Sequence, residues 1–320
     1  MIESYLEARA GCKTVNQLNV LHISLENQLA PLEVAALRHE LDRRRLAPAG
    51  DADPSGAPNW SEQSEVWIAR LVGRIALSGK PRPERFARRT IVPDVTMYSS
   101  GGATRDKTLA ICFAGSAQRL MMPVPCFLQH LDASRFDVVV LRDAARRGFR
   151  AGIPGVGGNL TQVVEKIGEN QRRSYGSVVS YGTSGGGVPA LWAALQLKLE
   201  KGVSVGGNSP EDSRWTLWGD GGVAVPFRYY LERNQGRTEL LLVHGADAPE
   251  DAEAARQMRE AVPADLVAVS GRDGRPCKHN ATLPLLEGGV LGRFLELALQ
   301  PGSDLDELRR LAAAGDAAAQ

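Results

Sequence analysis

The chain has 320 residues, 43% of them hydrophobic, which is enough for one large α/β domain with an appendage. Its 38 lysines and arginines nearly balance 37 aspartates and glutamates, and the formal net charge is +1. A charge so close to zero gives no general attraction to nucleic acid or to an anionic membrane, so neither is an expected partner. No stretch approaches the roughly 18 uninterrupted apolar residues of a membrane span.

The N-terminal segment and the cysteines predict a cytoplasmic protein. The opening "MIESYLEARAGCK" carries two glutamates and has no apolar run, so it is not typical of a signal peptide. The cysteines are scattered, without a CxxC pair or a spacing typical of metal ligands, and we expect reduced thiols and neither a metal nor a cofactor. They are Cys12, Cys112, Cys126 and Cys277.

Residues 1–90 are predicted to form an N-terminal helical element and a linker. "PLEVAALRHELDRRRL" indicates a helix that begins near Pro31, where a missing N–H costs little. A second helix follows Ser61, because apolar pairs recur there every four residues from Trp67 to Ala76. Since so short an element buries little surface by itself, we expect it to pack on the main domain or on another subunit, which would make a homo-oligomer.

From residue 91 short apolar runs alternate with amphipathic segments. Continuous apolar runs are typical of strands covered on both faces, and strand–helix alternation predicts a parallel sheet with right-handed crossovers. We therefore predict an α/β fold, with a mostly parallel central sheet flanked by helices over 91–300 and a C-terminal helical tail over 301–320. The predicted strands are 108–114, 137–141, 177–181, 203–207, 239–243 and 265–269, and the predicted helices are 123–132, 159–173, 186–199, 251–262 and 286–299.

The stretch "SVVSYGTSGGGVPALWAAL" over 177–195 places one serine between a strand and a helix. Gly182, Gly185 and Gly186 surround Ser184 in the pattern G-x-S-x-G. A sharp strand-to-helix turn strains the residue at its apex and requires neighbours without a Cβ atom. The pattern predicts a nucleophile elbow, in which the Ser184 hydroxyl stands above the carboxyl end of the sheet.

Two other interpretations of this turn are a plain glycine-rich turn and a phosphate-binding loop. The second would need a lysine of the GK[ST] type or a G-x-G-x-x-G register, and the sequence has neither at this point.

With this elbow, residues 91–300 resemble the α/β-hydrolase family. The resemblance implies a serine, an acid and a histidine in that chain order, with the histidine after the last strand. His279 occupies that position and is the expected general base, whereas His244, at the end of the 239–243 strand, is expected to be a core or turn histidine. An imidazole is required because a serine hydroxyl attacks only when a base near neutral pKa removes its proton.

The acid is expected in the turn after the strand 239–243. Asp247 stands two residues past Gly245, in the strand–Gly–x–Asp turn where the family commonly places it, and would orient His279 and stabilise its charged form. The competing carboxylates are Glu250 and Asp251, which favour a role as N-terminal charges of the next helix, and then Asp273 and Asp220.

The oxyanion hole is expected to use two backbone N–H groups. One belongs to Gly185, at the start of the helix that follows the elbow. The second should come from the loop "GSAQRLMMP" after the strand 108–114, with Ser116 or Ala117 as donor. The family's HGGG signature is absent, and this argues against a typical lipase.

Aromatic residues are dense at about 208–238, and the resemblance implies a lid-like insertion there, because α/β-hydrolases often insert a lid at this point. Their rings could line an acyl pocket or stack on a sugar; alternatively they pack an irregular segment onto the sheet. Arg142, which closes a strand at the same edge ahead of a glycine-rich loop, is a further candidate for binding substrate, although such loops are also ordinary connectors. The aromatic candidates for substrate binding are Trp215, Trp218, Tyr229 and Tyr230.

These features favour a serine hydrolase that cleaves a carboxylic ester or thioester through an acyl-enzyme on Ser184. An acyltransferase would use the same residues. A non-catalytic scaffold that binds glycan or a protein partner is the hypothesis from another class. The region from residue 141 through the elbow is similar to bacterial hydrolase-like proteins of polysaccharide assembly, which implies a small-molecule or glycan-linked ester as substrate.

Overall fold

The computed structural model describes residues 1–46, 60–77, 85–171, 174–210, 212, 224–234 and 236–313. Within these ranges eight strands form one sheet, in the order β1-β2-β4-β3-β5-β6-β7-β8. β2 runs antiparallel to both of its neighbours, and β3 to β8 are parallel to one another. The strands are Ala87–Val92 (β1), Val95–Ser99 (β2), Thr108–Phe113 (β3), Phe136–Leu141 (β4), Ser177–Thr183 (β5), Lys201–Val205 (β6), Glu239–Gly245 (β7) and Asp265–Val269 (β8).

Helices cover both faces of this sheet. Alternate residues of β3 enter two separate apolar cores, Ala110 and Cys112 on one face, Leu109 and Ile111 on the other. None of the helices within the described ranges is both long enough and apolar enough to cross a bilayer. The helices are Ile2–Ala10 (α1), Val15–Glu26 (α2), Pro31–Leu46 (α3), Ser61–Ala76 (α4), Val124–Gln129 (α5), Leu160–Gln171 (α6), Gly187–Leu197 (α7), Ala224–Asn234 (α8), Pro249–Ala261 (α9), Thr282–Glu287 (α10), Leu291–Leu299 (α11) and Leu305–Ala313 (α12).

The predicted fold class is confirmed, and all six predicted strands are present within a few residues of their expected ends. The hairpin of β1 and β2 was not predicted, because β1 is an edge strand in which most residues are exposed and no continuous apolar run marks it. The helix predicted over 286–299 is divided into α10 and α11. Gly289 adopts a φ of 68° between them, a conformation that ends α10.

The N-terminal helices share a core with the sheet. Leu29 and Leu37 belong to the same buried cluster as Phe127 and Tyr181. The Tyr98 hydroxyl of β2 donates to the Gln28 carbonyl over 2.6 Å. The predicted boundary at residue 90 falls inside β1. The last N-terminal helix, α4, ends at Ala76, before this first strand begins at Ala87. The sequence patterns did not predict α1 or α2. In the predicted C-terminal helical tail, α12 is present, and residues 314–320 lie outside the described residues.

The carboxyl ends of the parallel strands meet at one edge of the sheet. Phe113 at the end of β3 pairs with Gly182 near the end of β5, and Thr183 pairs with Val205 at the end of β6. The loops that leave this edge are 114–123 after β3, the turn at Ser184 after β5, and 270–281 after β8. Open α/β sheets bind their ligands at this edge.

Candidate active site

Ser184 is the apex of the turn from β5 into α7. Its φ is 50°, in the left-handed region that a serine rarely adopts, which costs on the order of 1–3 kcal/mol. The flanking glycines are needed for room. A Cβ on Gly182 would collide with the Gly186 carbonyl, and one on Gly186 would collide with the carbonyl of Phe113. Close backbone packing therefore holds the strained serine in place.

The His279 ring lies against this serine. Its Nε2 is 3.1 Å from Ser184 Oγ, and its Nδ1 is 2.8 Å and 3.0 Å from the two carboxylate oxygens of Asp251. Nδ1 can only donate to a carboxylate, so the neutral ring leaves Nε2 free to accept the Ser184 hydroxyl proton. The three side chains thus form one hydrogen-bonded line from carboxylate to hydroxyl.

Asp251 rather than Asp247 contacts the histidine, which corrects the sequence prediction. Asp251 lies in the first turn of α9, where the helix dipole stabilises a carboxylate. Asp247 instead makes two hydrogen bonds with the Cys277 backbone. Its Oδ2 accepts the Cys277 N–H over 2.8 Å, and its own N–H donates to the Cys277 carbonyl over 3.0 Å. Asp247 therefore holds the loop that carries His279.

The remaining competitors for the acid and base positions lie elsewhere. Asp273 is exposed with Arg275 at 3.9 Å, and Asp220 lies outside the described residues. His244 is buried and its Nδ1 is 3.0 Å from the Gly245 carbonyl, as expected of a turn histidine. Cys277 is two residues from His279, but burial raises the pKa of its thiol to about 11, so it carries no thiolate near neutral pH.

The Asp251 carboxylate raises the pKa of His279 above its ordinary value of 6.5. The hydrogen bond from the ring is the main cause, and the opposing effect of partial burial is smaller. The His279 side chain is 55% exposed and that of Asp251 only 15%, so the charged pair is open to water on the histidine side.

The loop after β3 passes directly beside Ser184. A Cβ on Gly115 would lie 2.8 Å from the Thr183 carbonyl oxygen and 3.1 Å from Ser184 Cβ, so a larger residue would require the backbone to shift. Gly115, Ser116 and Gly185 line one small pocket together, whereas Ala117 does not line it. The backbone hydrogen bonds described for this loop use neither the Ser116 N–H nor the Ala117 N–H, so the pocket lining is what distinguishes the two residues. Ser116 and Gly185 are thus the two expected oxyanion residues that the structure brings together.

Gly206 is a residue of the site that the sequence reasoning missed. It follows β6 with a φ of 55°, and a Cβ there would lie 2.5 Å from Met121 Cε and 3.3 Å from His279 Cε1. The absence of a side chain at this position leaves room for Met121 and for the His279 ring. The repeated glycine of "VSVGG" was the available signal.

Arg142 is not positioned as a substrate ligand. Its side chain is buried and donates to the Pro93 carbonyl in the turn between β1 and β2, with Asp94 at 4.0 Å. Desolvation lowers the pKa of this guanidinium, and Asp94 partly offsets that effect. Arg142 therefore ties the hairpin to the end of β4.

The two tyrosines proposed for substrate binding lie at the other end of α7. Tyr230 packs edge-on against Trp192, with 5.4 Å between the ring centroids, and Tyr229 lies under the Arg233 guanidinium at 4.2 Å. Both line a surface cavity with Lys198, which caps the end of α7 away from the elbow. Packing against the core accounts for Tyr230, whereas Tyr229 is 48% exposed, and Trp215 and Trp218 lie outside the described residues.

No family model matches this chain, and no curated protein matches it in sequence. The similar solved structures include an enterobactin esterase from Shigella flexneri, 14% identical over 68% of this chain, with a TM-score of 0.43; this chain spans only 61% of that one. An esterase from Pyrobaculum calidifontis is 12% identical over 89% of this chain and 98% of its own, with a TM-score of 0.44. The S-formylglutathione hydrolase of Staphylococcus aureus is 13% identical over 69% of this chain and 99% of its own, at 0.44.

Identities and TM-scores this low say nothing about the chemistry of the site. The strand order, the antiparallel β2 and the turn at the end of β5 are themselves those of an α/β-hydrolase fold, as the sequence resemblance implied.

Proposed function

We propose that the protein is a serine hydrolase that cleaves a carboxylic ester or thioester through an acyl-enzyme on Ser184. One observation carries the proposal: the hydrogen-bonded line from Asp251 through His279 to Ser184 Oγ, with 3.1 Å between Nε2 and Oγ. Nucleophilic catalysis by serine requires this arrangement of nucleophile, base and orienting acid.

In the first half-reaction Ser184 Oγ bonds to the substrate carbonyl carbon while its proton passes to His279 Nε2. The oxygen of the tetrahedral intermediate accepts hydrogen bonds from the Gly185 and Ser116 N–H groups, the kind of donor pair that stabilises such an oxyanion. Asp251 stabilises the imidazolium that forms. The bond to the leaving oxygen or sulfur then breaks, and His279 returns its proton to that atom.

In the second half-reaction a water molecule gives a proton to His279 Nε2 and attacks the acyl carbon. The bond between that carbon and Ser184 Oγ then breaks, His279 returns the proton to Oγ, and the acid is released. The 55% exposure of the His279 side chain leaves it accessible to water, and an alcohol acceptor would use the same histidine. Analysis of the products, with and without added alcohols, distinguishes the two.

Labelling with a fluorophosphonate probe tests the proposal. The probe phosphonylates an activated serine, so wild-type protein should be labelled stoichiometrically and Ser184→Ala should not be labelled. Ser134→Ala is the matched control, because Ser134 is an exposed serine at the opposite edge of the sheet. Labelling of Ser184→Ala at the wild-type rate would refute the assignment of the nucleophile, and the non-catalytic scaffold would then be the better hypothesis.

The raised pKa of His279 predicts the pH dependence. His279 must be neutral to accept the Ser184 proton, so kcat/KM should rise with pH through a midpoint above 6.5. The same pair stabilises the fold fully below pH 6.5 and progressively less as pH rises through the raised pKa, so its contribution declines where activity increases. An NMR titration of His279 should give a pKa above 6.5 in the wild type and a lower one in Asp251→Asn. An unchanged value in that variant would contradict the assigned cause.

A further inference from the structure

A cleft of about 560 Å³ separates α2 from α4, in the N-terminal region that the proposed reaction does not use. His22 and Trp67 form its base, stacked at 4.1 Å between centroids with 4° between planes. Ile23 and Val66 line it with side chains that are 42% and 54% exposed. The cleft therefore offers an apolar surface to a ligand.

One end of this cleft is cationic. The two helices run side by side in the same direction, because Trp60 before α4 donates to the Cys12 carbonyl before α2, and Trp67 donates to Glu26 at the end of α2. Arg70 and Arg74 lie toward the same end. The loop after β3 contributes Arg119 there.

These arginines are only partly neutralised. Glu26 accepts the Trp67 Nε1–H over 2.8 Å and has Arg119 at 3.7 Å, so this carboxylate is already engaged. Across the described residues Arg70 and Arg74 have no acidic partner, and the buried Nε of Arg119 has no acceptor. His22 adds no charge, since burial lowers its pKa to about 4.

The cationic end is also the end nearer the candidate active site. The Thr183 hydroxyl donates to the Arg119 carbonyl over 3.0 Å, and Thr183 directly precedes Ser184. The Arg119 backbone therefore lies beside the elbow while its side chain lines the cleft. The cleft and the elbow are thus linked through the side chain and the backbone of one residue.

We propose that the cleft binds a carboxylate-bearing, apolar part of the substrate, with the carboxylate at Arg70, Arg74 and Arg119 and the apolar body on Ile23 and Val66. That the ligand is the substrate rests on the proposed function. The cleft itself does not, because its lining residues are separate from those that touch the reacting atoms.

Calorimetric binding of naphthalene-2-carboxylate and of the neutral naphthalene-2-carboxamide tests the cleft. The wild type should bind the carboxylate at least about tenfold more tightly, a difference of about 1.4 kcal/mol. Arg70→Gln/Arg74→Gln should lose this preference, whereas Arg309→Gln, an exposed arginine of α12, should keep it. Val66→Ser should weaken both ligands. Equal affinities in the wild type, or an unchanged preference in the double variant, would overturn the proposal.

Kinetics separate this inference from the proposed function. The substrates are mono-p-nitrophenyl esters of dicarboxylic acids, each compared with a neutral ester of the same chain length. In the wild type kcat/KM should be higher for the anionic ester than for the neutral one. The ratio of the two kcat/KM values should fall about tenfold in Arg70→Gln/Arg74→Gln. Hydrolysis without an anionic preference would refute the cleft and leave the hydrolase intact. Carboxylate binding without any hydrolysis, retained in Ser184→Ala, would refute the hydrolase and leave the cleft intact.

Discussion

Replacement of Asp251 by asparagine is expected to lower kcat by about 10³- to 10⁴-fold, because an amide cannot hold the imidazole in the tautomer that accepts the Ser184 proton or stabilise its charged form. The measurement is steady-state hydrolysis of a p-nitrophenyl ester with each purified variant. Asp251 accepts from His279 Nδ1 over 2.8 Å, and no other carboxylate among the described residues makes such a contact with this ring.

Asp247→Asn is the matched control for this prediction. The side-chain oxygen of asparagine can still accept the Cys277 N–H, so the loop that carries His279 should keep its position and kcat should fall far less than in Asp251→Asn. A larger loss in Asp247→Asn than in Asp251→Asn would show that the acid is assigned to the wrong residue.

Gly186→Ala is expected to destabilise the fold by about 3 kcal/mol, at the upper end of penalties for overpacking, and to disturb the position of Ser184. Gly186 has a φ of −90°, which alanine adopts readily, so the penalty comes from space alone. The added Cβ would meet the carbonyls of Phe113 and Ala114, and β3 would have to move away from the elbow. Urea denaturation measures the change in the free energy of unfolding.

Gly73→Ala provides the comparison in the same measurement. Gly73 lies within α4 and a Cβ there meets nothing within 4 Å, so alanine should be neutral or should stabilise the protein by up to about 1 kcal/mol. If Gly186→Ala were as stable as Gly73→Ala, the close packing of β3 against the elbow would not hold the serine in its strained conformation.

The fold, and the positions of Ser184 and His279 in the candidate active site, could be predicted because the sequence patterns that indicate them are local. A buried strand followed by G-x-S-x-G defines the turn at Ser184, and a single histidine follows the last predicted strand. The acid could not be decided in this way. Asp247 lies in the connection after β7 and Asp251 lies four residues later in the first turn of α9, and the choice between them depends on how the loop at Cys277 folds back onto this connection. That contact spans thirty residues and has no sequence pattern.

The substrate candidates show a second limit of sequence patterns. Tyr229 and Tyr230 were chosen for their density in the insertion, but density does not tell which end of α7 they cover. Arg142 stands at the correct edge of the sheet, yet its guanidinium turns to the Pro93 carbonyl, a partner in the unpredicted hairpin of β1 and β2. The cleft between α2 and α4 could not be predicted from the sequence, because α2 itself was not predicted.

The core that joins the N-terminal helices to the sheet makes α1 to α4 part of the same folded unit as the candidate active site. A chain without them would expose Phe127 and other apolar side chains that α3 and α4 now cover, and would tend to aggregate. Thermal unfolding should accordingly occur in one cooperative step. A substitution in the cleft between α2 and α4 and one beside Ser184 should therefore both change the same free energy of unfolding.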